Sequence, residues 1–322
     1  TVPIDQAVGA TSVVVNAGCV RNRGVEVSAR FQPVKTKEFE WTISANWSKN
    51  WNKQVELADG VAMWNLNPNI TVGGNIYIRA YPGTELGRLY GRGYERAPEG
   101  AFYVDADGSY VDCSNQIVVD AETGSARLTS TEDELLDLGS IYPDWTAGMS
   151  HSLSYKGFRL GLSFSAQWGG KTYSMTHFAL AYQGKLKNSL KGRYAGMIVP
   201  GVNLNENGTY SKNTTITTDI VDHYTNYVYA RENAEENVFD TSFLKLKELR
   251  LEYSLPRHLC SKTRVFQGIT VGVYATNLFC WTNFPLYDPE AGYAVGSSIS
   301  RGIEAGAYPM TRTYGINLKL DF

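Results

Sequence analysis

The chain has 322 residues, of which 19% are charged, and a formal net charge of −2. This near-neutral balance gives no sign of the basic surface typical of nucleic-acid binding, so we expect no nucleic-acid partner. No window holds the ~20 consecutive apolar residues of a membrane-spanning helix. Aromatic residues are abundant, with 21 Tyr, 12 Phe and 7 Trp, and the length suits one large β domain or two smaller ones.

The chain starts at Thr1 without a basic, apolar leader, so we expect a mature product or a fragment. Its four cysteines, Cys19, Cys113, Cys260 and Cys280, are far apart and have no metal-ligand spacing. They are free thiols or include a disulfide pair, and the spacing does not choose between these. The sequence predicts neither a metal site nor a cofactor.

Two alternating segments come first. Residues Val25–Phe31 and Phe39–Trp47 place apolar side chains at every second position, which predicts two strands joined by the polar connection Pro33–Glu38. The irregular stretch Lys49–Gly74 follows. Asn75–Ala80 and Leu86–Tyr94 are weaker strand candidates around a turn at Pro82–Glu85.

The next region, Arg96–Pro143, is mostly loop. Within it, Asp105–Gly108 predicts a hairpin turn. The two aspartates and the glycine also resemble the start of a calcium-binding loop, but the remaining ligands of such a loop are absent. Thr131–Leu138 is expected to form one helical turn. Trp145–Tyr155 and Phe158–Trp168 then alternate around Lys156-Gly157, which predicts a hairpin.

Gly169–Asp240 is the longest region without alternation, and its part His177–Leu186 is predicted to be helical. The next strand alternates in two phases, with Leu244 and Leu246 in the first and Leu249, Leu251, Tyr253 and Leu255 in the second. The phase slips at Lys247-Glu248, and a β-bulge there would keep all six on one face. Ile269–Ala275 is the next strand, and Leu278–Met310 is predicted to be a loop. The last strand, Thr311–Phe322, has an uninterrupted apolar face and a polar one.

The connections alternate between short and long along the chain. The short connections are Pro33–Glu38, Pro82–Glu85, Lys156-Gly157 and Pro256–Gln267, and the long ones are Lys49–Gly74, Arg96–Pro143, Gly169–Asp240 and Leu278–Met310. Outer-membrane barrels have short periplasmic turns and long extracellular loops. A soluble β-sandwich has no reason for this asymmetry, so the pattern favours a membrane barrel.

Several stretches, in order along the whole chain, resemble SusC/RagA-type TonB-dependent outer-membrane transporters. They are Asn16–Val27 (NAGCVRNRGVEV), Tyr142–Trp145 (YPDW), Tyr155–Phe158 (YKGF), Phe243–Pro256 (FLKLKELRLEYSLP), Asn277–Phe279 (NLF), Tyr287–Glu290 (YDPE), Tyr308–Gly315 (YPMTRTYG) and the terminal Phe322. Each stretch is weakly specific alone, and the ordered set is specific.

The resemblance implies an all-β fold, in which residues 1–322 are an antiparallel transmembrane β-barrel segment with long extracellular loops, the C-terminal part of a 22-stranded plugged barrel. It also implies a SusD-like surface lipoprotein lid, contact with TonB through a plug, and a Gram-negative outer membrane as location. We find no plug or TonB contact segment and only roughly ten strands, where such barrels need about 22. A fragment is therefore expected.

The candidate substrate contacts lie in or beside the long loops. They are the aromatic residues Trp51, Trp64, Phe279, Trp281, Phe284 and Tyr287, and the carboxylates Asp288 and Glu290. The aromatic residues could instead form a membrane girdle or pack within the loops, and the carboxylates could be solvated in a turn. Phe322 is a candidate membrane-assembly signal.

His151, His177, His223 and His258 are scattered, and no convergent acid–base set can be assembled from the sequence, so no enzyme is expected. The predicted function is import of oligosaccharides or peptides across the outer membrane. The alternatives are a passive porin or structural barrel, which would have no plug sequence upstream, and a secreted β-sandwich carbohydrate-binding module, which would be soluble without detergent.

Overall fold

The computed structural model describes residues 2–3, 9, 12–13, 18–58, 61–66, 76–130, 135–260, 262, 264–290, 293–295 and 298–322. Seven long strands form one antiparallel sheet in which each strand pairs with its neighbours along the chain. We number them β1 (Gly18–Lys35), β2 (Phe39–Leu57), β3 (Trp145–Tyr155), β4 (Phe158–Trp168), β5 (Phe243–Ser254), β6 (Gly268–Thr282) and β7 (Thr313–Asp321).

The connections of this sheet alternate strictly. Residues 36–38, 156–157 and 255–267 form the short connections at one end, and 58–144, 169–242 and 283–312 form the long ones at the other. We call the latter long loops 1, 2 and 3. The predicted alternation is confirmed for these six connections, but the turn at Pro82–Glu85 belongs to long loop 1 and not to the sheet. The sheet therefore has fewer strands than the sequence suggested.

The strand register puts apolar side chains in rows on one face and polar side chains on the other. One apolar row crosses all seven strands through Val34, Trp41, Leu153, Leu160, Leu251, Val273 and Ile316. A polar row on the opposite face consists of Arg30, Ser44, Ser150, Ser163, Glu248, Thr276 and Thr313. Each strand has period 2, so the two faces are chemically distinct over the whole sheet.

Two bulges preserve this separation. In β5 Leu246 and Glu248 pair with consecutive residues of β4, and Lys247 is the additional residue, so the predicted bulge is confirmed. In β1 the register shifts between Phe31 and Val34. Pro33 lies in that shift and does not end the strand, because a bulge tolerates the missing N–H of proline. The predicted connection Pro33–Glu38 is thus three residues too long.

The apolar face is exposed. Leu251, Val273 and Ile316 expose 42%, 49% and 79% of their surface, and no second sheet covers this face within the described residues. A β-sandwich would bury the same side chains in a dry core, so that alternative is wrong.

The long loops contain short secondary-structure elements. Trp64–Asn65, Ile76–Ala80, Arg88–Gly91 and Leu136–Ser140 form a four-stranded sheet. Both weak strand candidates thus exist, although Asn75 lies outside the described residues. The predicted helical turn Thr131–Leu138 is wrong for its described part, because Leu136 starts a strand that pairs with Gly91.

Other short pairs are Val2–Pro3 with Ser12–Val13, Phe102–Val104 with Tyr110–Asp112, Met197–Ile198 with Ile216–Thr217, and Tyr293–Val295 with Ser298–Ser300. Val118–Val119, Val202–Leu204 and Tyr210–Lys212 form one three-stranded sheet, and Val238–Asp240, Lys171–Ser174 and Ile303–Glu304 form another.

Helices are short. They are α1 (Met175–Tyr182), α2 (Ile220–Asp222), α3 (Arg257–Cys260), the 3₁₀ helices Lys187–Leu190 and Glu235–Asn237, and the π-helix His223–Val228. The helix predicted within His177–Leu186 exists but starts earlier, because the Ser174 side chain accepts a hydrogen bond from the His177 amide and caps α1. None of the helices in the described part of the chain is long and apolar enough to cross a membrane.

Candidate functional site

The three long loops pack together into one body, which we call the loop cap. Its main hydrophobic cluster takes residues from all three loops, each at most 4% exposed: Ile76, Ile78, Leu89, Tyr173, Ala234 and Ile303. Nearly all of the largest fully buried side chains belong to the loops and not to the sheet. The loop cap therefore has a core of its own and is more than a set of separate surface loops.

Polar contacts join long loop 1 to long loop 2. Arg96 Nη2 donates to Glu235 Oε1 over 2.7 Å, and the Tyr94 amide donates to Glu235 Oε2 over 2.9 Å. The Tyr94 hydroxyl donates to Glu236 over 3.1 Å. Burial raises the pKa of the Glu236 carboxyl, against the effect of that hydrogen bond. His223 is 1% exposed, and its Nδ1 lies 3.3 Å from Ser125 Oγ.

A buried carboxylate joins long loop 2 to long loop 3. Glu304 is 2% exposed and accepts hydrogen bonds of 2.6 Å from both Ser174 Oγ and Thr176 Oγ1. The backbone strengthens this junction, since Tyr173 and Ser174 pair in parallel with Ile303 and Glu304. Glu304 thus fixes the start of α1 against long loop 3.

Long loop 3 is fastened to the polar face of the sheet by an ion-pair network. Lys245, on β5, is 4% exposed, and its ammonium donates to Asp288 over 2.6 Å and to Glu290 over 2.5 Å. Lys247 donates to Glu290 over 2.6 Å, and the Lys245 ammonium also lies 4.6 Å from the centre of the Phe243 ring. Burial would raise the pKa of the Glu290 carboxyl, but the hydrogen bonds from the two lysines outweigh it and lower this pKa.

This network corrects one expectation. Asp288 is only 7% exposed and Glu290 bridges two lysines, so these carboxylates are not simply solvated in a turn. Both their charges are already paired by Lys245 and Lys247. The network can fix the position of the loop, whereas a cation would have to compete with two ammonium groups.

The aromatic candidates separate into two groups. Trp51, Phe279 and Trp281 lie on long strands in phase with the exposed apolar face, and the rings of Phe279 and Trp281 stack 5.7 Å apart. The strands extend further than predicted, so these three residues do not belong to loops. Their position matches the alternative of an aromatic girdle at the membrane surface. Trp64, Phe284 and Tyr287 do lie in the loop cap.

The members of this second group differ in exposure. Phe284 is 5% exposed and packs edge-to-face on Phe239, so it is a packing residue, while Tyr287 is 56% exposed. Trp64 is half-buried in the four-stranded loop sheet. Contact of Trp64 and Tyr287 with substrate stays a prediction.

The remaining sequence candidates are placed as follows. Phe322 is 74% exposed and its ring lies 5.2 Å from that of Phe266. Asp105–Gly108 forms the predicted hairpin turn, with the Ser109 amide donating to Asp107. All four cysteines are free. No group of three potential metal ligands occurs within the described residues.

Sequence reasoning missed the residues that hold the loop cap together. Lys245, Glu304, Glu235 and His223 find their partners between 43 and 139 residues away. The one available signal was the pair of lysines at the bulge in β5, Lys247 within it and Lys245 just before it, and this pair did not indicate the carboxylates of long loop 3.

No protein-family model matches the chain. Curated relatives are TonB-dependent receptor P3 of Formosa agariphila, 26% identical over 99% of this chain, and TonB-dependent receptor P26 of the same organism, 28% identical over 100%. TonB-dependent receptor SusC of Bacteroides thetaiotaomicron is 23% identical over 95% of the chain. The chain covers 30%, 31% and 27% of these proteins, respectively, so it spans about a third of their length.

Solved structures agree in fold. The RagAB peptide transporter superposes with a TM-score of 0.67 at 20% identity, and RagAB in its closed-closed state with 0.63 at 21%. Both alignments cover 100% of this chain and 31% and 32%, respectively, of the solved chains. The chain is therefore related, over nearly its whole length, to TonB-dependent receptors of the SusC/RagA type, and it has the fold of part of their barrel.

Proposed function

We propose that this chain forms part of the barrel wall and the extracellular loop cap of an outer-membrane importer that is energised through TonB. The observation that carries the proposal is the two-faced sheet. An apolar face that stays exposed across seven strands needs a hydrocarbon environment, and the polar rows opposite suit a water-filled lumen. The relatives named as TonB-dependent receptors support the same function.

In this proposal the ends of the sheet have different surroundings. The three short connections face the periplasm, and the loop cap faces the outside of the cell. The loop cap carries the surface on which a SusD-like lipoprotein lid would close. Energy would arrive through a plug that contacts TonB, in a part of the receptor other than the described strands.

The proposed cargo is an oligosaccharide or a peptide, and the protein does no chemistry on it. The RagAB structures are described as those of a peptide importer, which supports the peptide. Trp64 and Tyr287 in the loop cap remain the aromatic residues proposed to contact the cargo.

Cysteine labelling in intact cells tests the topology. Tyr194, in long loop 2, is fully exposed, whereas Asn213 in the same loop is 4% exposed and a poor site. In a full-length receptor without its native cysteines, Tyr194→Cys should react with an impermeant maleimide from outside. Lys262→Cys should react only after the outer membrane is opened, and the reverse pattern would contradict the topology.

Uptake tests the function itself. Cells that lack the receptor should lose uptake of labelled peptides or oligosaccharides that wild-type cells import, and deletion of TonB should cause the same loss. Uptake that persists without TonB would indicate a passive porin instead.

A further inference from the structure

Long loop 2 contains a pocket outside the contacts described above. It has a volume of about 450 Å³ and lies between the end of α1 and the segment Thr218–Thr225. Its lining includes Tyr182, Gly184, Arg193, Val221 and Tyr224. The pocket is separate from the ion-pair network at Lys245 and contains none of the residues singled out from the sequence.

Arg193 is held in a fixed position at this pocket. Its Nε donates to the Ser189 carbonyl over 2.7 Å, and its Nη2 donates to Ser189 Oγ over 2.9 Å and to the Gly184 carbonyl over 3.2 Å. These bonds use Nε and Nη2 of the guanidinium. The third nitrogen, Nη1, has no hydrogen-bond acceptor among the described residues. A guanidinium oriented in this way loses little entropy when it binds a carboxylate.

Charge and shape around Arg193 favour an anion with an apolar neighbour. The segment Lys185–Arg193 (KLKNSLKGR) carries four basic residues and no acidic one. Tyr182 and Val221 line the pocket and expose 47% and 75% of their surface. The single carboxylate in the lining, Asp219, accepts a hydrogen bond from the Asp222 amide over 2.9 Å and caps α2.

We propose that this pocket binds the free carboxylate of a small ligand, with the apolar group next to that carboxylate lying against Tyr182 and Val221. The C-terminus of a peptide with an apolar last residue presents this chemistry, and an acidic sugar presents a carboxylate beside the C–H face of its ring. Arg193 pairs with the carboxylate through Nη1, and the neighbouring lysines raise the local concentration of anions. This proposal depends on the proposed import function in one respect, namely that the ligand is the cargo.

The test is hydrogen exchange on the purified full-length receptor, with and without ligand. The probes are the tripeptide Ala-Phe-Leu as free acid and as amide, and digalacturonic acid with neutral galactobiose as its control. The free acids should slow exchange in segments 182–193 and 218–225. Loss of a charge-assisted hydrogen bond should weaken binding of the amide by about tenfold or more. Protection by only one of the two acids identifies the source of the carboxylate.

Val221→Asp places a negative charge in the pocket without touching the bonds that hold Arg193, and it should abolish the protection. Val104→Asp is the matched control, because Val104 is 56% exposed in the hairpin of long loop 1 and does not line the pocket. Equal protection by acid and amide, protection elsewhere, or no protection by either acid would overturn the proposal. Uptake by intact cells is a separate measurement, so failure of the import function is distinguishable from failure of the pocket.

Discussion

Replacing Lys245 with methionine should release long loop 3 from the sheet. The side chains of Lys245 and Asp288 are 4% and 8% exposed, so the change leaves a buried carboxylate without its counter-ion. Removing one partner of a buried pair costs about 3–5 kcal/mol, mostly because of the unpaired charge. Glu290 keeps Lys247, so the loss should be centred on Asp288.

The assay is native-state hydrogen exchange of segment 283–290 in the full-length receptor. The Glu290 amide donates to Asp288 over 2.8 Å and is the most direct reporter. A loss of 3 kcal/mol corresponds to exchange about a hundredfold faster. The double variant Lys245→Met/Asp288→Asn removes both charges and should recover part of the protection.

The control is Lys156→Met. Lys156 pairs with Glu38 at an exposed turn, with 55% and 62% of the two side chains accessible, and such pairs contribute about 0–1 kcal/mol. If Lys245→Met exchanges like Lys156→Met, the ion-pair network does not anchor the loop and the reasoning is refuted.

Three further outcomes are expected. Burial lowers the pKa of His177 and of His223, so the unfolded chain binds protons more readily than the folded chain. The two histidines therefore lower the free energy of unfolding as the pH falls below ~6.5, and they do not lower it above that value. Proteolysis of long loop 2 should therefore be faster at pH 5.5 than at pH 7.5, and this ratio of rates should be smaller in the double variant His177→Gln/His223→Gln. The same ratio in the wild-type protein and the variant would show that the histidines do not cause the pH dependence. Leu162→Arg on the apolar face should destabilise the folded barrel by about 2–4 kcal/mol in urea titrations from liposomes if it lies near the bilayer midplane, and Ser163→Arg should cost clearly less; equal costs would argue against the assignment of the faces. Phe322→Asp places a charge beside Phe266 and should lower the heat-modifiable, membrane-integrated fraction of the full-length receptor, a prediction that normal assembly yield would contradict.

The strands of the sheet were predictable because each one shows its alternation of apolar and polar residues within its own sequence. Alternation in Phe158–Trp168 identified β4, and the phase slip at Lys247 identified a bulge that the register confirms. The strand ends were less predictable. Beyond Trp47, Lys49 and Lys53 interrupt the apolar alternation of β2, so the sequence did not show that the strand continues to Leu57.

The loop cap was not predictable from local patterns. Ile78, Tyr173 and Ile303 belong to three separate loops and form one buried cluster, although no local pattern indicates that these three side chains meet. The same holds for Lys245 and Asp288, whose pairing depends on how long loop 3 folds back onto the sheet. Contacts of this kind are set by tertiary packing.

The orientation of the sheet in the membrane is the central claim, and paired spin labels test it most directly. Leu162 and Ser163 are neighbours on β4, and their side chains point to opposite faces of the sheet. Each is replaced by a labelled cysteine in the full-length receptor, after the exposed Cys19 and Cys280 have been changed to serine. In liposomes the label at 162 should collide mainly with oxygen dissolved in the hydrocarbon and the label at 163 mainly with a water-soluble nickel chelate. Oxygen accessibility at 163 together with chelate accessibility at 162 would contradict the account.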